Sequence, residues 1–381
     1  MKIGLIHDLY SPIAIGSVGG EDNLVDLEAR LLSERGHDVK KIMRFYSGSQ
    51  RKFRHLIVSA TGRGMKPISE SEIDSIDVIH TNNLSLVSGY SWLSESRVPI
   101  VSSFHNYRPL CPISIAWRKG SICFDCHDKS PFMSIVHGCG GKLGFLGAIR
   151  RGVLQIGEPE IHVPAHLIFT SNKMAQAYLS RNPLVNYDVI PNPSRLRAMQ
   201  VNSSEGFSKL KPSGFLFAGR LTAEKGIIEL IQNWPDEESL TIAGTGELQD
   251  QVEQLCNSRR NINYHGTFSP KDPYFYNQFE SLVFPSSWLE GSPLVVIEAI
   301  SSGVPVIATS TSSASELIDQ SQCGVLMPQN FSQDDLRTSI HKIRVNRKVY
   351  MKNGIESGRS VFSPDNWIKN LENVFLKVLT K

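Results

Sequence analysis

No stretch of this 381-residue chain stays apolar for the roughly 18 residues that a membrane-spanning helix needs. A charge, a glycine or a proline interrupts every long run first. The opening MKIGLIHDLY is not a signal peptide either, because His7 and Asp8 end its apolar run. There is little excess of charge of one sign: the formal net charge is +3, which makes no case for a nucleic-acid partner. The dinucleotide fingerprint G-x-G-x-x-G is missing from the first strand–helix loop, where the glycines read G-S-V-G-G (Gly16, Gly19, Gly20). That counts against a nicotinamide or flavin dinucleotide. A cytoplasmic protein is expected.

What is present is ordinary globular composition, 40% hydrophobic and 20% charged, enough for two sizeable cores. Charge is unevenly spread, however. Arg35, Lys40, Lys41, Arg44, Arg51, Lys52, Arg54, Arg63 and Lys66 face one acid, Asp38, so the stretch carries 9 − 1 = +8. Such a run is either a solvated face or an attraction to anionic lipid headgroups, worth about 1 kcal/mol per basic residue near the surface. The second reading would place the protein peripherally on the inner face of the plasma membrane.

Taken in order, Lys2 to His7 reads as a strand, Glu21 to Arg35 as a helix stopped by Gly36, and Asp38 to Phe45 as a second strand. Strand, glycine loop, helix, strand is how a doubly wound sheet begins, and ligands of such sheets sit at the carboxyl ends of strands. Further strands are expected at Asp77 to His80 and Pro99 to Phe104, the latter ending at His105. A histidine at a strand tip faces the ligand crevice or makes a structural hydrogen bond.

Residues 107–164 are the least regular part and hold Cys111, Cys123, Cys126 and Cys139 in the spacing C-x11-C-x2-C-x12-C. That pattern fits a tetrahedral structural zinc; reduced thiols and disulfides are the alternatives, the last disfavoured in a cytoplasmic protein. After strands at His166 to Thr170 and Tyr187 to Ile190, the stiff Pro191-Asn192-Pro193 marks a domain boundary. The grammar then restarts. GFLFAGRLTAEKGIIELI is a strand, a loop bearing Arg220 and Lys225, and a helix.

The stretch FPSSWLEGSPLVVIEAISSGVPVIAT, from Phe284 to Thr309, carries the chemistry. Ser292 and Pro293 read as an N-cap and first-turn pair, and the helix stops at Gly303. Glu290 lies before this helix and Glu298 inside it, on either side of an amino terminus suited to phosphate. Carboxylates repel phosphate but bind hydroxyls, so the implied ligand is a phosphate carrying sugars. Arg220 and Lys225 supply the cations such a diphosphate needs.

With GRLTAEKG (Gly219 to Gly226) and E-x7-E (Glu290 to Glu298), the chain resembles the retaining GT-B glycosyltransferases of family four, the glycosyl transferases group 1. The resemblance extends to the Gly19-Gly20 loop, SSFHNYRPLCP and HLIFTSNKMA, and the cysteine-bearing insert looks like a subgroup linked to bacterial surface-polysaccharide assembly. It implies an α/β fold, GT-B, with two Rossmann-like doubly wound domains facing a central cleft. Residues 1–192, with the insert at about 107–164, would form the acceptor-side domain, and 193–362 the nucleotide-sugar donor domain. Residues 363–381 would form a terminal helix crossing back to the first domain.

It further implies that Arg220 and Lys225 clamp the donor diphosphate, Glu298 accepts from ribose hydroxyls, and Glu290 holds the donor sugar. The backbone of Gly291, Ser292, Pro293 and Leu294 would lie nearby, His105 at the sugar, Gly19 and Gly20 beside diphosphate and acceptor, and Gly219 at the donor. No catalytic metal or other cofactor is expected, and no D-x-D-like pair stands in the equivalent place. The partners implied are a nucleoside-diphosphate sugar and a glycan or lipid-linked acceptor. The rivals are a non-catalytic sugar-nucleotide-binding partner of another transferase and a sugar-nucleotide epimerase of the same architecture.

Overall fold

The computed structural model describes residues 1–9, 20–45, 66–82, 88–139, 166–181, 185–196, 212–268 and 273–380, with isolated positions such as 64, 84, 141 and 152. Two compact units emerge. The first comprises Met1–Arg118, Ile122–Ile190 and Ile368–Lys381; the second comprises Lys119–Ser121 and Pro191–Trp367.

In chain order the strands up to Ile190 are β1 (Lys2–Leu9), β2 (Asp38–Phe45), β3 (Val78–Asn82), β4 (Ile100–Phe104), β5 (Trp117–Arg118), β6 (Ser121–Ile122), β7 (His166–Phe169) and β8 (Tyr187–Val189). Six of them make one parallel sheet in the order β2-β1-β3-β4-β7-β8. Their continuous apolar runs follow from burial on both faces, as in β1, where Ile3, Leu5 and Ile6 are all buried. The helix Gly20–Glu34 places Leu24, Leu31 and Leu32 in the core. It is ended by Gly36, whose φ of 85° suits the left-handed turn after a helix.

An aromatic ladder joins the insert to this sheet. Phe104 of β4 stacks on Phe169 of β7 at 5.6 Å, Tyr178 lies against both, and Tyr107 stacks on Tyr178 at 6.0 Å. Arg181 then reaches Asp128 through two hydrogen bonds of 2.6 and 2.7 Å, with its guanidinium 4.1 Å over Phe124.

In the second unit β9 (Phe215–Ala218), β10 (Leu240–Ala243), β11 (Ile262–Gly266), β12 (Ser281–Phe284), β13 (Val306–Thr309) and β14 (Gly324–Met327) are also parallel. Their order is β11-β10-β9-β12-β13-β14, so the connection direction reverses between β9 and β12. Side chains alternate across the sheet with the period of two that a strand imposes. Leu216 and Ala218 join the core that holds Phe284, Ile297 and Phe362, while Phe215 and Phe217 join the one that holds Ile227 and Trp234.

The helix Leu294–Ser301 is gripped by the long helix Gln333–Arg359 at two glycines. A Cβ on Gly354 would sit 2.5 Å from the Ile300 carbonyl oxygen, and one on Gly358 2.8 Å from Ser301 Cα. Close backbone approach therefore sets where Glu298 points. The last helix, Pro364–Leu379, begins in the second unit and contributes its residues from Ile368 onward to the first. There Glu372 accepts from Arg35 at 2.8 Å and meets His37 at 2.8 Å, and Phe375 packs edge-on to His80 at 5.5 Å.

Candidate functional site

In the second unit the candidate residues sit on the two loops that leave β9 and β12, the strands flanking the reversal, which is where open α/β sheets hold ligands. The loops are locked together. The Glu224 carbonyl accepts from the Ser287 N–H at 3.0 Å and from the Ser287 hydroxyl at 3.2 Å. Gly226, at φ 68°, leaves no room for a side chain, since a Cβ would lie 2.3 Å from the Pro285 carbonyl oxygen.

This lock brings Lys225 and Glu290 into direct contact. Lys225 Nζ donates to Glu290 Oε1, and the same oxygen accepts from Ser286 Oγ at 2.9 Å and Trp288 Nε1 at 2.6 Å. Glu290 is only 6% exposed, yet its Oε2 has no hydrogen-bond partner among the described residues. Lys225 also lies over the rings of Phe284 and Trp288, 5.4 and 5.6 Å from their centroids. Arg220, its side chain 61% exposed, touches Glu224 at 3.4 Å; Glu224 Oε1 also accepts from Thr222 at 2.7 Å.

The helix after β12 starts one residue later than its sequence suggests. Pro293 is the N-cap, and the Ser292 hydroxyl does not cap the helix. It accepts the Asn192 backbone N–H at 3.1 Å, while Asn192 Nδ2 donates to the Ser292 carbonyl at 2.9 Å. The proline ring fixes the entry to the helix and removes one donor, so the serine is released for a long-range bond. The N–H groups of Gly291, Ser292 and Leu294 donate to no backbone carbonyl among the described residues. They form, with the helix terminus, a set of donors suited to an anion.

Glu298, expected at a ribose, is 0% exposed. Its Oε1 accepts from Arg195 through Nε at 2.7 Å and Nη2 at 2.6 Å, and its Oε2 accepts from the Tyr276 hydroxyl at 2.8 Å. Burial pushes its carboxyl pKa up, against the opposing pull of Arg195 and Tyr276. A ribose hydroxyl therefore reaches Glu298 only by taking the place of one of these donors. Gly219 stands at the end of β9, its N–H bonded to the Ala243 carbonyl at 3.0 Å.

The first unit gathers a different set at the ends of β3 and β4. His105 Nε2 is 3.1 Å from Asn82 Oδ1 and donates to it, which leaves Nδ1 as the acceptor of a neutral ring. That Nδ1 is buried and meets no partner among the described residues. Burial, followed by the nearby His80 and His7, lowers the His105 pKa from 6.5 to about 4. Behind it, Asn82 Nδ2 donates to Glu28 Oε2 at 3.3 Å, and Glu28 Oε1 lies 2.5 Å from His80 Nδ1. His80 Nε2 meets Ser103 Oγ at 2.7 Å, and His7 Nδ1 donates to the Asn82 carbonyl at 2.7 Å. Gly19 lies outside the described residues, and Gly20 opens the helix Gly20–Glu34.

None of the six cysteines forms a disulfide. Cys256 and Cys323 are buried core residues. Cys111, Cys123, Cys126 and Cys139 stand within electrostatic reach of one another in the insert. Of the basic run, Arg35 pairs with Glu372, Lys41 with Asp26 and Arg44 with Glu72, acids that the local count of +8 did not include. Arg51, Lys52, Arg54 and Arg63 lie outside the described residues.

Sequence reasoning passed over Arg195, Asn192, Tyr276, Trp288, Glu28 and Asn82. Arg195 and Asn192 follow from no spacing, because their partners lie 103 and 100 residues away. Trp288 was the most accessible of them, standing two residues before Glu290 on the loop already singled out.

Residues 200–359 match the family described as glycosyl transferases group 1. Over 174 residues, 42% of this chain, it is 29% identical to an uncharacterized glycosyltransferase of Methanocaldococcus jannaschii, MJ1607. The matched stretch spans 44% of that relative, and other matches span 37% and 33% of two further relatives. The fold is shared with WaaG, described as a glycosyltransferase involved in lipopolysaccharide biosynthesis, at a TM-score of 0.60 and 15% identity, covering 97% of this chain and 99% of that one. It is shared equally with Anabaena Alr3699/HepE, solved with UDP, at a TM-score of 0.60 and 16% identity, covering 99% of this chain and 100% of that one. With its two parallel six-stranded sheets this chain has the GT-B fold, and its residues 200–359 resemble the glycosyl transferases group 1.

Proposed function

We propose that the protein is a retaining glycosyltransferase, moving a sugar from a nucleoside-diphosphate sugar to a hydroxyl of a glycan or lipid-linked glycan in surface-polysaccharide assembly. The observation that carries this is the contact of Lys225 with Glu290 beside the N–H groups of Gly291, Ser292 and Leu294. A cation and a set of amide donors suit a diphosphate. A carboxylate whose Oε2 is still available suits the hydroxyls of the sugar attached to it.

In this reading the bond from the sugar's anomeric carbon to the diphosphate breaks, and the carbon gains a bond to the acceptor oxygen, which gives up its proton. Lys225 and Arg220 stabilise the charge that grows on the departing diphosphate, the role in which fixed donors contribute most. Glu290 Oε2 accepts from a hydroxyl of the donor sugar. His105, kept neutral, offers Nδ1 as an acceptor to a second sugar hydroxyl. Glu298 takes a ribose hydroxyl by exchanging it for Arg195 at Oε1. These cations and amides perform the charge stabilisation that a divalent metal performs elsewhere, and the reading assigns catalysis no metal.

The surface-polysaccharide setting is supported by the involvement of WaaG in lipopolysaccharide biosynthesis, and the nucleotide class by the UDP held by HepE. Among the described residues no helix is long and apolar enough to cross a membrane. In this reading a lipid-linked acceptor is met peripherally, from the cytoplasm. The test incubates the protein with a panel of nucleoside-diphosphate sugars and short lipid-linked acceptors and follows release of the nucleoside diphosphate. Release matched by glycosylated acceptor, with the donor's anomeric configuration kept in the product, is expected. Inverted product removes the retaining mechanism. Nucleotide binding without any product, across the panel, assigns the chain to the non-catalytic class.

A further inference from the structure

We infer that Glu28 is a positioning residue for sugar transfer: through the Asn82 amide it holds His105 in the tautomer whose Nδ1 carries no proton. The inference rests on the reading of His105 as a residue that meets the donor sugar. The tautomer itself is a property of the free protein and is tested without any ligand.

The place of Glu28 on its helix is the first sign that it has a task. Along Gly20–Glu34, Leu24, Leu31 and Leu32 are buried in the core. Glu28 comes four residues after Leu24 and four before Leu32, in the same stripe, where the helical period calls for another apolar side chain. It is 1% exposed. A carboxylate so far from water is tolerated only when its oxygens have partners. The sheet supplies them. His80 and Asn82 stand two residues apart on β3, and therefore on one face. Glu28 Oε1 lies 2.5 Å from His80 Nδ1, and Glu28 Oε2 accepts from Asn82 Nδ2 at 3.3 Å. Ser103 of β4 pairs in register with Asn82, and His105 follows it by two residues, which brings the imidazole to the other side of the same amide.

The direction of each hydrogen bond then follows. A carboxylate only accepts, so the side of the Asn82 amide that faces Glu28 is its NH2 group. Its Oδ1 is thereby turned to His105 Nε2, at 3.1 Å. An amide oxygen only accepts as well, so Nε2 carries the proton and Nδ1 of the neutral ring is bare. Turning the amide over would set Oδ1 against Glu28 Oε2, two acceptors face to face, and an NH2 group against the Nε2 proton. Asn82 Nδ2 also lies 3.5 Å from His80 Nδ1, but Glu28 engages that nitrogen at 2.5 Å. The main chain holds the base of the amide, because His7 Nδ1 donates to the Asn82 carbonyl at 2.7 Å. At the far end of the chain of groups, His105 Nδ1 is buried and meets no partner among the described residues. An acceptor left open in this way is costly to the free protein and suited to a ligand hydroxyl.

Glu28→Gln keeps the shape of the side chain but presents a donor as well as an acceptor. The Asn82 amide is then free to turn over, and the His105 proton to move to Nδ1. A carboxylate that served cohesion alone would cost stability when replaced and leave the tautomer as it was.

The test is nitrogen NMR of the full chain carrying isotope-labelled histidine, without ligand, at mildly alkaline pH where the ring is neutral. The His105 signals are identified by their loss in His105→Asn. The wild type should show a protonated Nε2 and an unprotonated Nδ1. In Glu28→Gln a form protonated at Nδ1 should appear. The double variant Glu28→Gln with Asn82→Asp sets a carboxylate beside His105 Nε2 and an amide donor behind it, and should return the ring to the Nε2-protonated form. A wild-type ring protonated at Nδ1 overturns the inference, as does a ring in Glu28→Gln that matches the wild type. Should Glu28→Gln fail to fold, the wild type and the double variant decide, since both must be protonated at Nε2 alone. Turnover, followed with the donor and acceptor that the panel identifies, should fall about tenfold in Glu28→Gln, the worth of one oriented hydrogen bond. An altered tautomer with wild-type turnover would take His105 away from the sugar and Glu28 out of the transfer, while its hold on the tautomer stood.

Discussion

The two parallel sheets are built alike, but the groups at their strand ends are not. At the reversal of the second sheet the chain places cations against carboxylates: Lys225 on Glu290, Arg220 on Glu224, and nearby Arg195 on Glu298. At the ends of β3 and β4 in the first sheet the described residues place the Glu28 carboxylate and a chain of imidazole, amide and hydroxyl groups leading to His105. Fixed cations serve a ligand that carries charge. Uncharged acceptors held in one orientation serve a ligand made of hydroxyls. The same scaffold thus carries charged groups at the strand ends of one unit and uncharged acceptors at those of the other.

The largest effect should come from the charged unit. Lys225→Ala should lower turnover about a hundredfold, and Arg220→Ala by a similar factor, if they hold leaving-group charge. Wild-type rates in either variant would break the contrast between the units. Next is Arg195→Ala, which leaves the buried carboxylate of Glu298, on the helix Leu294–Ser301, without its cation. Unfolding by denaturant should show a loss of about 3–5 kcal/mol, the usual cost of a buried charge without its partner. The same variant sharpens the ribose assignment. Glu298→Ala should weaken nucleotide affinity, and unchanged affinity would leave Glu298 a purely structural anchor.

The first unit should reveal itself through pH. His105 binds its proton with a pKa of about 4 when folded and 6.5 in the ordinary state, so between these values the unfolded chain holds more protons. Stability from the neutral ring is complete above pH 6.5 and is lost as pH falls toward 4. Replacing His105 with Asn should flatten that window in chemical denaturation followed across pH; an unaltered slope would show that another group titrates there. The smallest effect concerns the basic run. Replacing Arg51, Lys52 and Arg54 with Gln should reduce partitioning onto anionic vesicles by about 1 kcal/mol per residue. Equal partitioning would leave the run a solvated face, as the ion pairs of Arg35, Lys41 and Arg44 already favour for its described residues.

The strands, the glycine stops and the loops bearing Arg220, Lys225 and Glu290 were legible in the sequence because they are local. Apolar period, helix breakers and loop position act over a few residues. What stayed hidden was pairing across distance. Nothing near Glu298 announces that Arg195, 103 residues earlier, will occupy one of its oxygens. Nothing near Lys225 says that it will meet Glu290. Ser292 shows the same limit, because its cap chemistry was plain but Asn192 claimed the hydroxyl first. Charge counts erred alike: the acids that answer the basic run lie on other elements.

Titration calorimetry of wild-type protein and Lys225→Ala with a panel of nucleoside diphosphates and their sugar conjugates bears most directly on the second unit as a diphosphate site. At least one nucleotide should bind the wild type, and the alanine variant should bind it at least about tenfold more weakly, a loss of roughly 1.4 kcal/mol. Equal affinity in the two proteins, or no binding across the panel, would contradict the account.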